Sequence, residues 1–191
     1  SLSLTRSHTC VWPTVARVLL AMVIGEFFGY WTHRAQHNNA WLWRLHATHH
    51  APDAMSWSKV LVNHPLEQFL LVGPRLLPLA LLGVPRPDIG GYMMLYSVVG
   101  LLAHANLDLR VGLAGWFFAT PRQHLRHHAL DPDEGRSNYG CSVILWDRLF
   151  GTFHPGPVAR DTVRVGLGDG GHLGLKQLLL LPLRPPDARI R

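Results

Sequence analysis

Apolar positions gather into three long runs, and the polar stretches between them carry the chemistry. The runs extend from about Val11 to Tyr30, from Leu66 to Val84 and from Ile89 to Leu109. A membrane-crossing helix needs about 20 apolar residues, so each is a candidate span. Arg17 and Glu26 interrupt the first run, and Gly73-Pro74 and Pro78 interrupt the second. The third has no charge before Asp108 and is the cleanest. The connector Val84-Pro85-Arg86-Pro87 predicts a tight helical hairpin between the second and third. Beyond them, Ala114 to Thr120 reads as a short interfacial element ended by Pro121, and Asp131 to Asn138 as a polar loop. Ser142 to Phe150 reads as a short apolar helix or strand, and Leu173 to Leu181 as an amphipathic tail. The pattern predicts an all-α integral membrane bundle in one domain over 1–191; the alternative is a soluble helical protein with buried core helices.

Histidines fill the polar stretches in three clusters: His33 and His37, then His46, His49 and His50, then His124, His127 and His128. The spacings are one i,i+4 pair and two copies of H-x-x-H-H, and residues three or four apart share a helix face. Neutral imidazole is the commonest ligand for zinc, iron, copper and nickel, so convergent clusters predict an intramolecular metal site. If all three runs cross a membrane, every cluster emerges on the same side, with His104 close to the returning end of the third. Nine imidazoles exceed what one ion uses, so two ions are expected. The donor set is neutral, which suits borderline metals and disfavours magnesium or calcium.

Charge adds an orientation. Arg34, Arg44, Lys59, Arg110, Arg122, Arg126 and Arg136 lie on the histidine side, whereas the opposite connector offers Arg86. This bias places the histidines on the cytoplasmic side. Only 16% of the 191 residues are Asp, Glu, Lys or Arg, and the net charge is +6. The arginines do not alternate with aromatics as in a nucleic-acid groove, so anionic lipid headgroups explain the charge better. Two cysteines, Cys10 and Cys141, are too few for a disulfide scaffold and read as structural. The polar start carries no signal-peptide pattern and no initiator methionine, as in a trimmed or partial chain. His8 reads as a surface residue.

Other polar residues are weighed by their spacing. Asp108, one turn after His104, is placed to accept from an imidazole N–H, and Asn106 less well so. Glu26 shares a helical face with Tyr30, His33 and His37, which suits support of a ligand histidine or pairing with an arginine. His64 beside Pro65 reads first as a helix cap, with Glu67 in the first turn. His154 and His172 lack partners at ligand spacing. Trp12, Trp31, Trp41, Trp43, Trp57 and Trp116 bracket the apolar runs as interfacial anchors, while Trp146 packs the C-terminal segment.

The segments Tyr30-Trp31-Thr32-His33-Arg34-Ala35-Gln36-His37, Trp43-Arg44-Leu45-His46-Ala47-Thr48-His49-His50 and Thr120-Pro121-Arg122-Gln123-His124-Leu125-Arg126-His127-His128 resemble the fatty acid hydroxylase/sterol desaturase superfamily. His64-Pro65-Leu66-Glu67, His104-Ala105-Asn106, Asn138-Tyr139-Gly140 and the run Trp146 to Thr152 extend the resemblance over about residues 26 to 154. It implies a helical membrane domain with a cytosolic histidine-rich cap over two iron ions, which zinc can replace in purified protein. It also implies hydroxylation or desaturation of a lipid with dioxygen and two electrons. A small carrier such as a ferredoxin or cytochrome b5 would bring those electrons from NAD(P)H. Some members carry a second histidine where this chain has Asp108, and members commonly have more N-terminal membrane helix. Two other functions are weighed: a di-metal hydrolase of lipid esters or phosphates, which would want carboxylate ligands, and a non-enzymatic membrane metal-binding or transport protein.

Overall fold

The charges that interrupt the apolar runs turn out to join the helices. Residues 12–109, 111–157, 162–168 and 173–184 are described in the computed structural model. The expectations for His8, Cys10, Arg110 and His172 lie outside them. Helix α1 (Thr14–Asn38) carries Arg17 and Glu26. Helices α3 (Glu67–Leu81) and α4 (Arg86–His104) both pack on it. Arg17 pairs with Asp88 at the start of α4 at 2.7 Å. Glu26 pairs with Arg75 of α3 at 2.8 Å, and both side chains are 1% exposed. Tyr92 of α4 donates its hydroxyl to the same Glu26 oxygen at 2.8 Å. A charge among apolar side chains persists only where it is paired, and these pairs specify which helices meet. Gly25 and Gly29 permit the close approach: a Cβ at Gly25 would lie 2.7 Å from the Tyr92 ring, and one at Gly29 2.6 Å from the Arg75 guanidinium. Ala21, Met22, Leu79, Tyr92 and Val143 form the core at this junction.

A single residue makes the next corner. Asn39 is extended, which ends α1, and its side chain accepts from the amides of Trp41 and Leu42, which starts α2 (Ala40–His50). A 3-10 turn, Trp57–Leu61, leads towards α3. Short helices follow: α5 (Ala114–Phe117), α6 (Pro121–His127), α7 (Pro132–Gly135), α8 (Leu145–Leu149) and α9 (Leu175–Leu180), with a 3-10 turn Leu181–Leu183 at the end of the described chain. Thr120 and Gln123 cap α6 reciprocally, with Pro121 at its first position. Two isolated antiparallel bridges, Phe118 with Val143 and Ala129 with Val165, are the β structure among the described residues.

The fold is all-α, but the spans differ from expectation. Among the described residues one helix, α1, is long and apolar enough to cross a membrane. The third run, expected to be the cleanest, ends as a helix at His104, and Asn106 to Leu109 follow as an exposed non-helical segment. The second run yields a helix of 15 residues, about 22 Å long at 1.5 Å per residue and short of a hydrocarbon core of about 30 Å. Trp43 also departs from its expected anchoring role. It is 6% exposed and packs against His37 and His50, while Trp41 is 73% exposed. Trp146 packs on Phe27 and donates to the Val23 carbonyl of α1.

Candidate metal centre

Helix geometry delivers the imidazoles from four directions. His33 and His37 leave the end of α1, His46, His49 and His50 line α2, His104 ends α4, and His124, His127 and His128 come from α6 and its C-cap. All nine are buried. They converge as two groups: His33, His37, His46, His50 and His127 in one, and His49, His104, His124 and His128 in the other. Within each group the ligand atoms lie within 4.8 Å of one another.

Partners on the outer ring nitrogens fix which atom faces inward. Nδ1 of His33 donates to the Tyr139 carbonyl at 2.6 Å, His49 to Val62 at 3.2 Å, His104 to Gly100 at 2.8 Å and His127 to Ser137 at 2.9 Å. His46 donates from Nδ1 to the Glu67 carboxylate. A carbonyl only accepts, so the proton sits on Nδ1 and the Nε2 lone pair points into the group. The Nε2 atoms of His33 and His46 then face each other at 2.9 Å, and those of His49 and His104 at 3.1 Å. Each pair brings two acceptors together without a proton between them, an arrangement that a cation resolves. The Nε2 atoms of His37 and His127 are buried without a hydrogen-bond partner, as is Nδ1 of His124. Ligands about 2.1 Å from a transition metal stand roughly 3.0–3.4 Å apart, close to the separations here. The nitrogen-only set and the facing lone pairs fit a metal ion in each group, and the orphaned Nε2 atoms of His37 and His127 add to the fit in the larger one.

Burial also keeps the rings neutral. It lowers His49, His50, His124 and His128 well below the usual imidazole range, and neighbouring imidazoles add to the effect. His127 is lowered to about 3 by burial first and His46 second. Neutral imidazole is the ligating form.

The supporting residues are mostly ones that spacing did not reveal. Asp147 accepts from the amides of Tyr139 and Gly140, both at 2.7 Å, and from the Thr152 hydroxyl at 2.6 Å. Asn138, at φ 56°, donates to the carbonyls of Gln123 at 3.0 Å and His154 at 2.9 Å. These contacts hold the loop whose carbonyls receive His33 and His127. Glu67, expected only as a first-turn acid, buttresses His46. Conversely, Glu26 bonds to Arg75, Tyr92 and the Ser142 amide, so its role is the arginine-paired one. Asp108 is exposed and lies 4.0 Å from Arg122, and Asn106 is exposed too. His64 accepts from the Leu66 amide, and His154 from the Gly156 amide. Cys141 lies 3.4 Å from His33 Nδ1, and burial pushes its thiol up to about 12.

Two openings flank the imidazoles. A cavity of about 340 Å³ is lined by residues of α3 and α4 and by His33, His46, His49, His104 and His124. Val60, Leu71, Val72, Met93 and Leu101 make its wall mostly apolar. On the other side a cleft of about 30 Å³ touches His37, His50, His127, Trp43 and Arg136.

The fatty acid hydroxylase profile matches residues 18–152, which spans every one of these imidazoles. The chain belongs to the fatty acid hydroxylase family. This family member is 38% identical over 151 residues to ornithine lipid hydroxylase OlsE of Rhizobium tropici, covering 79% of this chain and 46% of the relative. It is 29% identical over 133 residues to alkylglycerol monooxygenase of Xenopus tropicalis (69% and 29% covered). It is 30% identical over 156 residues to very-long-chain aldehyde decarbonylase GL1-7 of Oryza sativa (74% and 24% covered). The hydroxylase-family chain therefore spans less than half the length of each of these relatives. No solved structure matches it.

Proposed function

We propose that this chain is the catalytic part of a membrane-bound, di-iron, dioxygen-dependent lipid hydroxylase, with desaturation of the same C–H position as the related outcome. The observation that carries this reading is the two buried all-imidazole groups beside a mostly apolar cavity. His33, His37, His46, His50 and His127 would hold one ion, and His49, His104, His124 and His128 the other. Bound iron would supply dioxygen activation and attack on an unactivated C–H bond. The chain's own part is to hold the imidazoles neutral and aimed, to exclude bulk water by burial, and to present a hydrocarbon segment from the cavity lined by α3 and α4. The named relatives include a lipid hydroxylase and a monooxygenase, which supports a lipid substrate. A metal hydrolase is less well supported, because neither group includes a carboxylate ligand.

The apolar α1 supports membrane association, and further spans with a cytoplasmic metal cap belong to the same proposal. A ferredoxin or cytochrome b5, fed by NAD(P)H, would deliver the electrons. The test is oxygen uptake by iron-loaded protein with a reductase, carrier and lipid extract. The expected result is reductant-dependent uptake and a lipid gaining one labelled oxygen from ¹⁸O₂ or losing two hydrogens. Turnover of lipid under strict anaerobiosis without reductant would overturn the reading. Filling the cavity by Gly100→Leu, at a position where an added Cβ meets only Val60 Cγ2 at 3.6 Å, should lower turnover and leave metal content unchanged.

A further inference from the structure

Five of the nine imidazoles have a partner on Nδ1, and four of those partners are neutral backbone carbonyls. The exception is His46, whose partner is the carboxylate of Glu67. Glu67 is fully buried at the first position of α3. Its Oε1 also accepts from Gln36 Nε2 at 3.3 Å, and its Oε2 is buried with no hydrogen-bond partner. His46 belongs to the five-imidazole group, with Nε2 2.9 Å from that of His33 and 3.1 Å from that of His50. In the four-imidazole group, His49 and His104 lean on carbonyls instead. The other acids near the site are engaged elsewhere, Glu26 with Arg75, Asp108 with Arg122 and Asp147 with the Tyr139 and Gly140 amides.

We infer that Glu67 is a positioning residue that makes the two metal sites unequal, giving the five-imidazole site the tighter grip on its ion. A carboxylate behind an imidazole fixes its tautomer, raises its basicity and places negative charge one ring away from the cation. Carbonyls do the first of these without the charge. The inference rests on the proposed reading only in that both groups bind metal.

The test is zinc titration of the metal-stripped chain in detergent against a chromogenic chelator, with no activity measured. Two classes of site are expected. Glu67→Gln keeps an acceptor for His46 and removes the charge, and should weaken the tighter class about 10- to 100-fold while leaving the other within about twofold. Gln36→Leu, which removes only the second donor to Glu67, should weaken the same class by less. In a His128→Ala background, which disables the four-imidazole group, the remaining class should still respond to Glu67→Gln. Cobalt substitution gives an independent signature: the ligand-field bands of one site should shift in Glu67→Gln and those of the other should not. Should Glu67→Gln fail to fold, Glu67→Asp keeps the charge and should retain two unequal classes. Unchanged constants in Glu67→Gln, or equal weakening of both classes, would overturn the inference and leave the proposed function standing. A wild-type chain that binds no metal would sink the proposed function instead.

Discussion

At the scale of single residues, five of the nine imidazoles are held by an outer nitrogen as well as by their place on a helix. His127 serves the five-imidazole group and His49 the four-imidazole group. His127→Ala and His49→Ala should therefore each reduce metal content from two ions to about one, and the double variant should hold essentially none. Metal-to-protein ratios on folded, detergent-purified variants check this; two ions retained in both single variants would contradict the grouping. Asn138 illustrates support at one remove. Its side chain bonds to two carbonyls and accepts from the His154 amide at 2.8 Å, in a backbone conformation that few side chains other than asparagine tolerate. Asn138→Ala should cost about 1–3 kcal/mol from stranded polar groups plus backbone strain. Asn138→Gly relieves the strain but not the lost bonds, so the difference in their thermal unfolding separates the two contributions.

Among the elements, the packing of α1, α3 and α4 depends on charges buried between them. Glu26→Gln should destabilise the protein by about 3–5 kcal/mol, because it leaves the Arg75 guanidinium buried without its counter-charge. Replacing both by apolar residues of similar volume should recover most of that loss, measured as denaturation midpoints in detergent. The three histidine clusters were legible in the sequence because helical spacing puts their rings on one face. His104 was reachable from its depth in the third run. The division of the nine rings into five and four was not legible, since it depends on how helices far apart in the chain cross. Glu26 could be placed on the correct face of α1, but the choice between imidazole and arginine needed the position of α3. Glu67 was hidden because its partner is 21 residues away on another helix. Asp147 and Asn138 were hidden because they act on backbone amides and carbonyls, which leave no side-chain pattern.

For the whole molecule, burying neutral imidazoles couples the fold to pH. His127 titrates near 3 in the folded chain against 6.5 for an ordinary imidazole, and His49, His50, His124 and His128 are lowered too. Between those values the unfolded chain binds protons that the folded chain refuses, so stability rises with pH through this window. The contribution is fully present above about 6.5 and is lost as pH falls towards about 3. Proton competition for the ligands acts in the same direction, so metal loss should accompany it. Thermal unfolding of metal-free and metal-loaded protein between pH 5 and 7.5 checks the sign; a flat profile for the metal-free chain would contradict it.

The carbonyl that orients His33 belongs to Tyr139, 106 residues further along the chain. During synthesis the N-terminal helices leave the ribosome long before that loop exists, and His127 likewise waits for Ser137. A nascent chain that has already exposed all nine imidazoles still lacks the frame that aims two of them. Metal capture in order of emergence would then meet misdirected rings, and the centre is suited to being filled after the loop has docked. A chain truncated after His128 carries every ligand and should still fail to hold the two ions.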